Sequence, residues 1–246
     1  MDDAPRDSRR AFLLGAAVLG PVALGAVSIA DGQEKPVKND LLASDPGPDR
    51  PATSDYRPGF FSEAEWAFVR AACDRLVPRD EVGPGALELG APEYIDRQLQ
   101  SGYGAGERWY MSGPFVKADP EFGYQSKLTP REQYRLGIRA IDDFCRAKFG
   151  HVFFDIGPAR QDQLLKQLEN GEIKNETINL KTFFTSFLLK NTMEGYFCDP
   201  MHGGNRGMGS WKMIGYPGVR ADYLEFVDIA DRRYPYGPVS LHGQRA

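Results

Sequence analysis

Phe61-Ser62-Glu63-Ala64-Glu65-Trp66-Ala67-Phe68-Val69-Arg70-Ala71-Ala72-Cys73-Asp74-Arg75-Leu76-Val77-Pro78 is the stretch on which the fold class turns. Ser62 followed three residues later by Glu65 is a capping box. The hydroxyl accepts from the Glu65 amide and the Glu65 carboxylate reaches back, so two donors that a helix start leaves unpaired find partners. Phe61 and Trp66 occupy the two positions of a hydrophobic staple. Trp66, Val69, Cys73 and Leu76 recur at helical spacing and read as one core-facing stripe. Pro78, which lacks an amide hydrogen, ends the helix.

The same grammar repeats downstream. Pro92 in a first turn, followed by Tyr94, Ile95 and Leu99, predicts a short helix ending at Gly102. Gly102 to Gly106 does not match a dinucleotide-binding GxGxxG, since Glu107 follows the third glycine and no strand precedes it. It reads as a flexible connection. Trp109 to Tyr124 reads as an irregular aromatic loop broken by Pro114 and Pro120. Thr129-Pro130-Arg131-Glu132 is a second capping box, opening a helix with Tyr134, Ile138, Ile141 and Cys145 inward and Gly150 as its stop. Gly157-Pro158 opens a fourth, with Leu164, Leu165 and Leu168 inside and Gly171 closing it. Leu180, Phe183, Phe184, Phe187 and Leu188 mark a fifth, ending near Gly195. Tyr223, Phe226, Val227 and Ala230 predict a last helix from about Val219 to Asp231. No alternating strand of any length stands out. The fold class is all-α: one helical domain at residues 59–246 with long irregular loops.

Two segments precede that domain. Ser8-Arg9-Arg10-Ala11-Phe12-Leu13 sets two arginines before an uncharged apolar run, Ala11 to Ala30, that closes on the small residues Ser28-Ile29-Ala30. Residues 1–30 therefore read as a twin-arginine export signal carried by Arg9, Arg10, Phe12 and Leu13. That route moves proteins already folded. The length also suits a retained membrane anchor, but Gly15, Gly20, Gly25 and Pro21 weaken the helix an anchor needs. Residues 31–58, rich in proline and charge, read as an extended linker.

Removing residues 1–30 of 246 leaves 216, enough for one sizeable core. The signal's arginines and aspartates balance, so the remainder keeps the net charge of −4. No basic run or stripe suggests nucleic acid. Three cysteines allow either one internal bridge or three free thiols; Cys73 and Cys145, both on inward stripes, are the first pair to test. There is no CxxCH for covalent haem and no cysteine cluster for iron and sulfur.

The segment Gly195 to Gly218 stands apart, with seven glycines among Tyr196, Phe197, Trp211, Tyr216 and three methionines. A loop this long that is also aromatic is functional more often than disordered. Four readings are open. Cys198, Asp199 and His202 offer at most three metal ligands. His202 with Asp199 or Glu194 makes an acid–base pair. Gly203-Gly204-Asn205-Arg206 offers amides and a guanidinium to a phosphate. The fourth reading, which we favour, is a structured loop that docks on a partner protein, for which Trp, Tyr, Arg and Met are suited.

FFSEAEW at residues 60–66, DRLVPRD at 74–80 and above all DPMHGGNRGMGSWKMIGYPG at 199–218 resemble the gluconate 2-dehydrogenase subunit 3 family, over roughly residues 60 to 230. His202 replaces an aromatic beside the GGN element, and Ser210 separates Gly209 from Trp211. The resemblance implies a non-catalytic gamma subunit of a membrane-bound heterotrimer. The large subunit would carry FAD, often with an iron–sulfur cluster, and oxidise a sugar or polyol. A multi-haem cytochrome c would pass electrons to quinone. The small subunit would hold no cofactor or metal and would serve folding, stability and co-export of the flavoprotein. The complex would sit in the periplasm, on the outer face of the cytoplasmic membrane. On this reading the partner interface comprises the linker, Trp109 and Tyr110 of the aromatic loop, and Met201, His202, Gly203, Gly204, Asn205, Arg206, Trp211, Lys212, Tyr216 and Pro217. The alternatives are a stand-alone periplasmic enzyme using His202 and Asp199, or an export chaperone that leaves its cargo after translocation.

Overall fold

Both capping boxes form, and each starts a helix as the sequence predicts. In the computed structural model, residues 56–246 are described except 117–118, 221–223, 230–231 and 233, with the side chain of Pro120 also left aside. They belong to one unit, Gly47–Ala246. The export signal, with Arg9, Arg10, Phe12 and Leu13, and all of the linker before Tyr56 lie outside the described residues.

Helix α1 is Glu63–Leu76 and is capped by the Ser62 hydroxyl, with Ser62 N donating to Glu65 Oε2 at 2.8 Å. Phe61 stacks on Trp66 as the staple requires. The buried face is Phe68, Val69, Ala72, Cys73 and Leu76, while Trp66 sits half-buried at its edge. Helix α2 is Ala91–Gln100, with proline in its first turn. The stretch after it is not a loose connection but a short helix, α3, Gly102–Ala105. Ser101 caps it, and a Cβ on Gly104 would lie 2.0 Å from Leu99 O, so only glycine lets the chain turn this tightly against α2. Helix α4 is Pro130–Phe149, opened by the Thr129–Glu132 box and closed by Gly150 at φ +77. Helix α5 is Pro158–Asn170, closed by Gly171 at φ +71.

The central rod begins as α6, Leu180–Thr182, continues as a π-helix over Phe183–Leu189, and becomes α7, Lys190–Phe197. Its inward side chains run in steps of four: Phe183, Phe187, Asn191 and Gly195 on one line, Phe184, Leu188, Thr192 and Tyr196 on the next. Residues four apart drift around a pure α-helix; the wider i→i+5 turn counters that drift and holds both lines against the core. Helices α2, α4 and α5 all pack on this rod. The Phe183 ring fills the space where Gly137 of α4 has no side chain.

One expectation needs correction. The helix predicted over Val219–Asp231 reduces, among the described residues, to a single 3-10 turn at Leu224–Phe226. Leu224 is 87% exposed and Val227 70%, so their apolar pattern faces no core, and a short helix without packing is not stable. In keeping with the helical class, extended pairing among the described residues is confined to isolated bridges, Gly218 with Val239 and Val239 with Arg245. Of the two cysteine arrangements left open, the structure has the free one: Cys73 and Cys145 are buried and unbridged, and Cys198 is free as well. The Cys73 thiol faces Thr192 of α7, with Sγ 3.4 Å from Oγ1, rather than α4 where Cys145 sits.

Candidate functional site

The 199–218 loop is built outward from the end of α7. Asp199 caps the 3-10 turn Pro200–His202, accepting from Met201 N at 3.1 Å. Its other oxygen accepts from Leu241 N at 2.7 Å, which ties the C-terminal tail to the loop. Gly203 then takes φ +95, and Gly204 lies so close to α7 that a Cβ would meet Gly195 O at 2.0 Å.

Asn205 is the hub. It is fully buried, in the left-handed region at φ +44. Its Nδ2 donates to Cys198 O at 2.9 Å. Its Oδ1 accepts from Ser210 N at 3.0 Å and from Ser210 Oγ at 2.8 Å. One carboxamide thus closes the loop at both ends. The final helix, α8, Gly209–Ile214, starts from that clamp. Trp211 buries its ring and donates from Nε1 to Phe197 O at 2.8 Å. Arg206 reaches back to Glu93 in a largely buried ion pair, and its amide donates to Leu89 O at 3.1 Å.

The loop therefore has two sides. Gly204, Asn205, Met208, Ser210 and Trp211 are spent inside the chain. Gly204, Asn205 and Trp211, expected on the partner interface, have their polar groups and apolar area engaged within the domain. Gly203, Arg206 and Pro217 are half-buried. Met201, His202, Lys212, Ile214 and Tyr216 are exposed. In the aromatic loop, Trp109 packs among Tyr103, Tyr124 and Phe187, whereas Tyr110 is 79% exposed.

The carboxylates considered for acid–base chemistry are engaged in the fold. Asp199 holds the turn and the tail, as above. Glu194 accepts from Asn191 Nδ2 at 2.8 Å and pairs with Lys190 at 3.8 Å. Asn191 also bonds Tyr103 and Tyr134, so Glu194 belongs to a network that joins α3, α4 and α7. Burial raises the Cys198 thiol to about 11, which makes it a poor nucleophile or metal ligand. Among the described residues, no three His, Cys, Asp or Glu side chains converge as a metal site would require.

A buried carboxylate on α2 was missed by sequence reasoning. Asp96 is fully buried and accepts from Tyr56 Oη at 2.7 Å, Gly59 N at 2.9 Å, Phe60 N at 3.1 Å, Phe61 N at 3.0 Å and Gln100 Nε2 at 2.6 Å. The end of the predicted linker, from Tyr56, is thus docked rather than free. The spacing held a signal: Pro92, Ile95, Asp96 and Leu99 share one helical face, so Asp96 falls inside an apolar stripe.

A family model described as gluconate 2-dehydrogenase subunit 3 matches residues 63–218. The chain belongs to the gluconate 2-dehydrogenase subunit 3 family. Searches of curated proteins and of solved structures returned no match. The subunit 3 match starts at the first residue of α1 and ends where the loop meets Val239. It therefore contains the whole helical core and the Asn205 clamp, and it leaves out the Tyr56–Phe61 strap and the C-terminal tail.

Proposed function

We propose that this chain is the non-catalytic small subunit of a heteromeric, FAD-dependent sugar or polyol dehydrogenase of the gluconate 2-dehydrogenase type. It stabilises the flavoprotein subunit by binding its native state and carries that subunit out of the cytoplasm. FAD, an iron–sulfur cluster and haem c belong to the partner subunits, including a multi-haem cytochrome c, and the complex works at the periplasmic face of the membrane. The family match over residues 63–218 carries this reading.

Two further observations support it. The loop that marks the family is clamped from within, yet holds Met201, Ile214 and Tyr216 at the surface, each more than two-fifths exposed. Apolar side chains fixed at a surface suit a protein contact. The carboxylates of the rival enzyme reading, Asp199 and Glu194, are engaged in structural bonds. The export role rests on Arg9-Arg10 and the apolar run behind them.

Co-expression with a candidate flavoprotein subunit tests the proposal. The two chains should co-purify with bound flavin and dye-linked sugar oxidation, and the lone chain should show neither. Arg9→Lys with Arg10→Lys should strand both chains in the cytoplasm. Export of the flavoprotein despite that change would defeat the carrier role; flavin or activity in the lone chain would defeat the subunit reading.

A further inference from the structure

The 199–218 loop is fastened twice. Asn205 closes it from inside, and the tail at residues 238–246 closes it from outside. At the start of the loop, Asp199 Oδ2 accepts from Leu241 N at 2.7 Å. At its end, Val219 N donates to Val239 O at 2.7 Å, and Val239 N donates to Pro217 O at 3.1 Å. Gly218 lies between those two bonds at φ +74, and a Cβ there would meet Val239 O at 2.2 Å. Val239 and Leu241, two residues apart, therefore join the two ends of the loop.

The two fastenings differ in kind. Asn205 and Trp211 are buried, so the inner one is part of the core. The tail supports itself through hydrogen bonds: Ser240 N donates to Gln244 O at 2.9 Å, Gln244 N to Ser240 Oγ at 3.1 Å and Ala246 N to Pro238 O at 3.2 Å. Pro238 and Ser240 are buried, but Leu241 is 59% exposed and residues 242–245 are exposed as well. A surface segment held by hydrogen bonds, with little apolar burial, opens at a fraction of the cost of global unfolding. Its anchors also control the outward side of the loop. Asp199 Oδ1 accepts from Met201 N and so sets the turn that presents Met201 and His202. Gly218 directly follows Tyr216 and Pro217.

We infer that the tail is a releasable clasp that couples the two outer edges of the loop, Met201–His202 and Tyr216–Pro217. Closed, it orders both edges. Open, it frees both together while the Asn205 hub and the helical core stay in place. The outward side of the loop thus has an ordered and a loosened state, and the tail sets the balance between them. The clasp comes from outside residues 63–218, the span that the family model matches.

Hydrogen exchange of the full chain, resolved by residue with NMR, tests the coupling. In the wild type, the Val219 and Leu241 amides should share one rate, at least about a hundredfold faster than amides in the middle of α4. Each of two variants is then read at the end it does not touch. Asp199→Asn leaves an acceptor for only one of Met201 N and Leu241 N, and should speed exchange at Val219 by about tenfold. Gly218→Ala drives Val239 away, and should speed exchange at Met201 by about tenfold. The Asn205 and Ser210 amides, which donate to Gly195 O and Asn205 Oδ1, should keep their wild-type rates in both. Faster exchange confined to the altered end would reduce the clasp to two separate contacts and overturn the inference. Acceleration at Asn205 and Ser210 would show a loop that opens as one body, and would overturn it too. So would wild-type Val219 and Leu241 amides that exchange as slowly as those of α4.

Discussion

Asn205 and Ser210 share a single oxygen: Asn205 Oδ1 accepts from both the amide and the hydroxyl of Ser210, at 3.0 and 2.8 Å. This pair, with Asn205 Nδ2 on Cys198 O, turns a glycine-rich stretch into a fixed structure. Glycine supplies close approach and costs chain entropy; the clamp offsets that cost.

Asn205→Ala removes three hydrogen bonds from a buried site and leaves a Cβ residue at φ +44, so it should destabilise the lone chain by about 3 kcal/mol in urea unfolding. Asn205→Gly loses the same bonds without the backbone strain and should be milder by about 1 kcal/mol. Equal losses would mean that the backbone at 205 is not strained.

Trp211→Ala should act on the fold before any partner is present. Its ring is 5% exposed and packs against Tyr216, so truncation should cost about 3–5 kcal/mol. Tyr216→Ala, at a 45% exposed position, should cost the lone chain less than about 1 kcal/mol. Thermal melts of the two isolated variants decide this; a wild-type melt for Trp211→Ala would show that its ring does not stabilise the lone domain.

The domain should weaken at alkaline pH. Burial raises the Cys73 and Cys145 thiols from 9.0 to about 12 and Cys198 to about 11. Burial also lifts the Tyr134 hydroxyl well above its ordinary 10.0. The folded chain keeps these protons where the unfolded chain releases them, so stability falls as pH rises from about 9 through about 12. Melting temperature should drop steadily across that window, and Cys73→Val should flatten the slope. A level profile between pH 8 and 11 would show that these groups do not govern it.

Thiol titration distinguishes free cysteines from a bridge. Denatured, unreduced protein should give three thiols per chain, since Cys73, Cys145 and Cys198 are all free. In the native state Cys198 should react first, because it alone is not fully buried, and slowly, because its thiolate is disfavoured. A count of one in the denatured chain would establish a Cys73–Cys145 or other bridge.

Much of the fold is legible in local chemistry. Ser62 with Glu65 and Thr129 with Glu132 mark two helix starts from residues three apart, and Gly150 and Gly171 mark two ends. The same rules failed at Val219–Asp231, where helical periodicity exists without a surface for it to face. They were also silent about the π-turn at Phe183–Leu189, because a four-residue inward repeat looks the same in one-dimensional pattern whichever hydrogen-bond ladder supports it.

The helical class and the main helix boundaries can be read from the amino-acid order alone. Those signals lie within a turn of one another along the chain and act through the backbone's own unpaired groups. Three-dimensional packing sets which side of the 199–218 loop faces out, buries Trp211 and Asn205, and joins Asp96 to Tyr56. The reason is distance along the chain: Tyr56 meets Asp96 across 40 residues and Arg206 meets Glu93 across 113. A stripe position such as that of Asp96 shows that a side chain is buried, but which distant residue meets it is set only when the elements pack together.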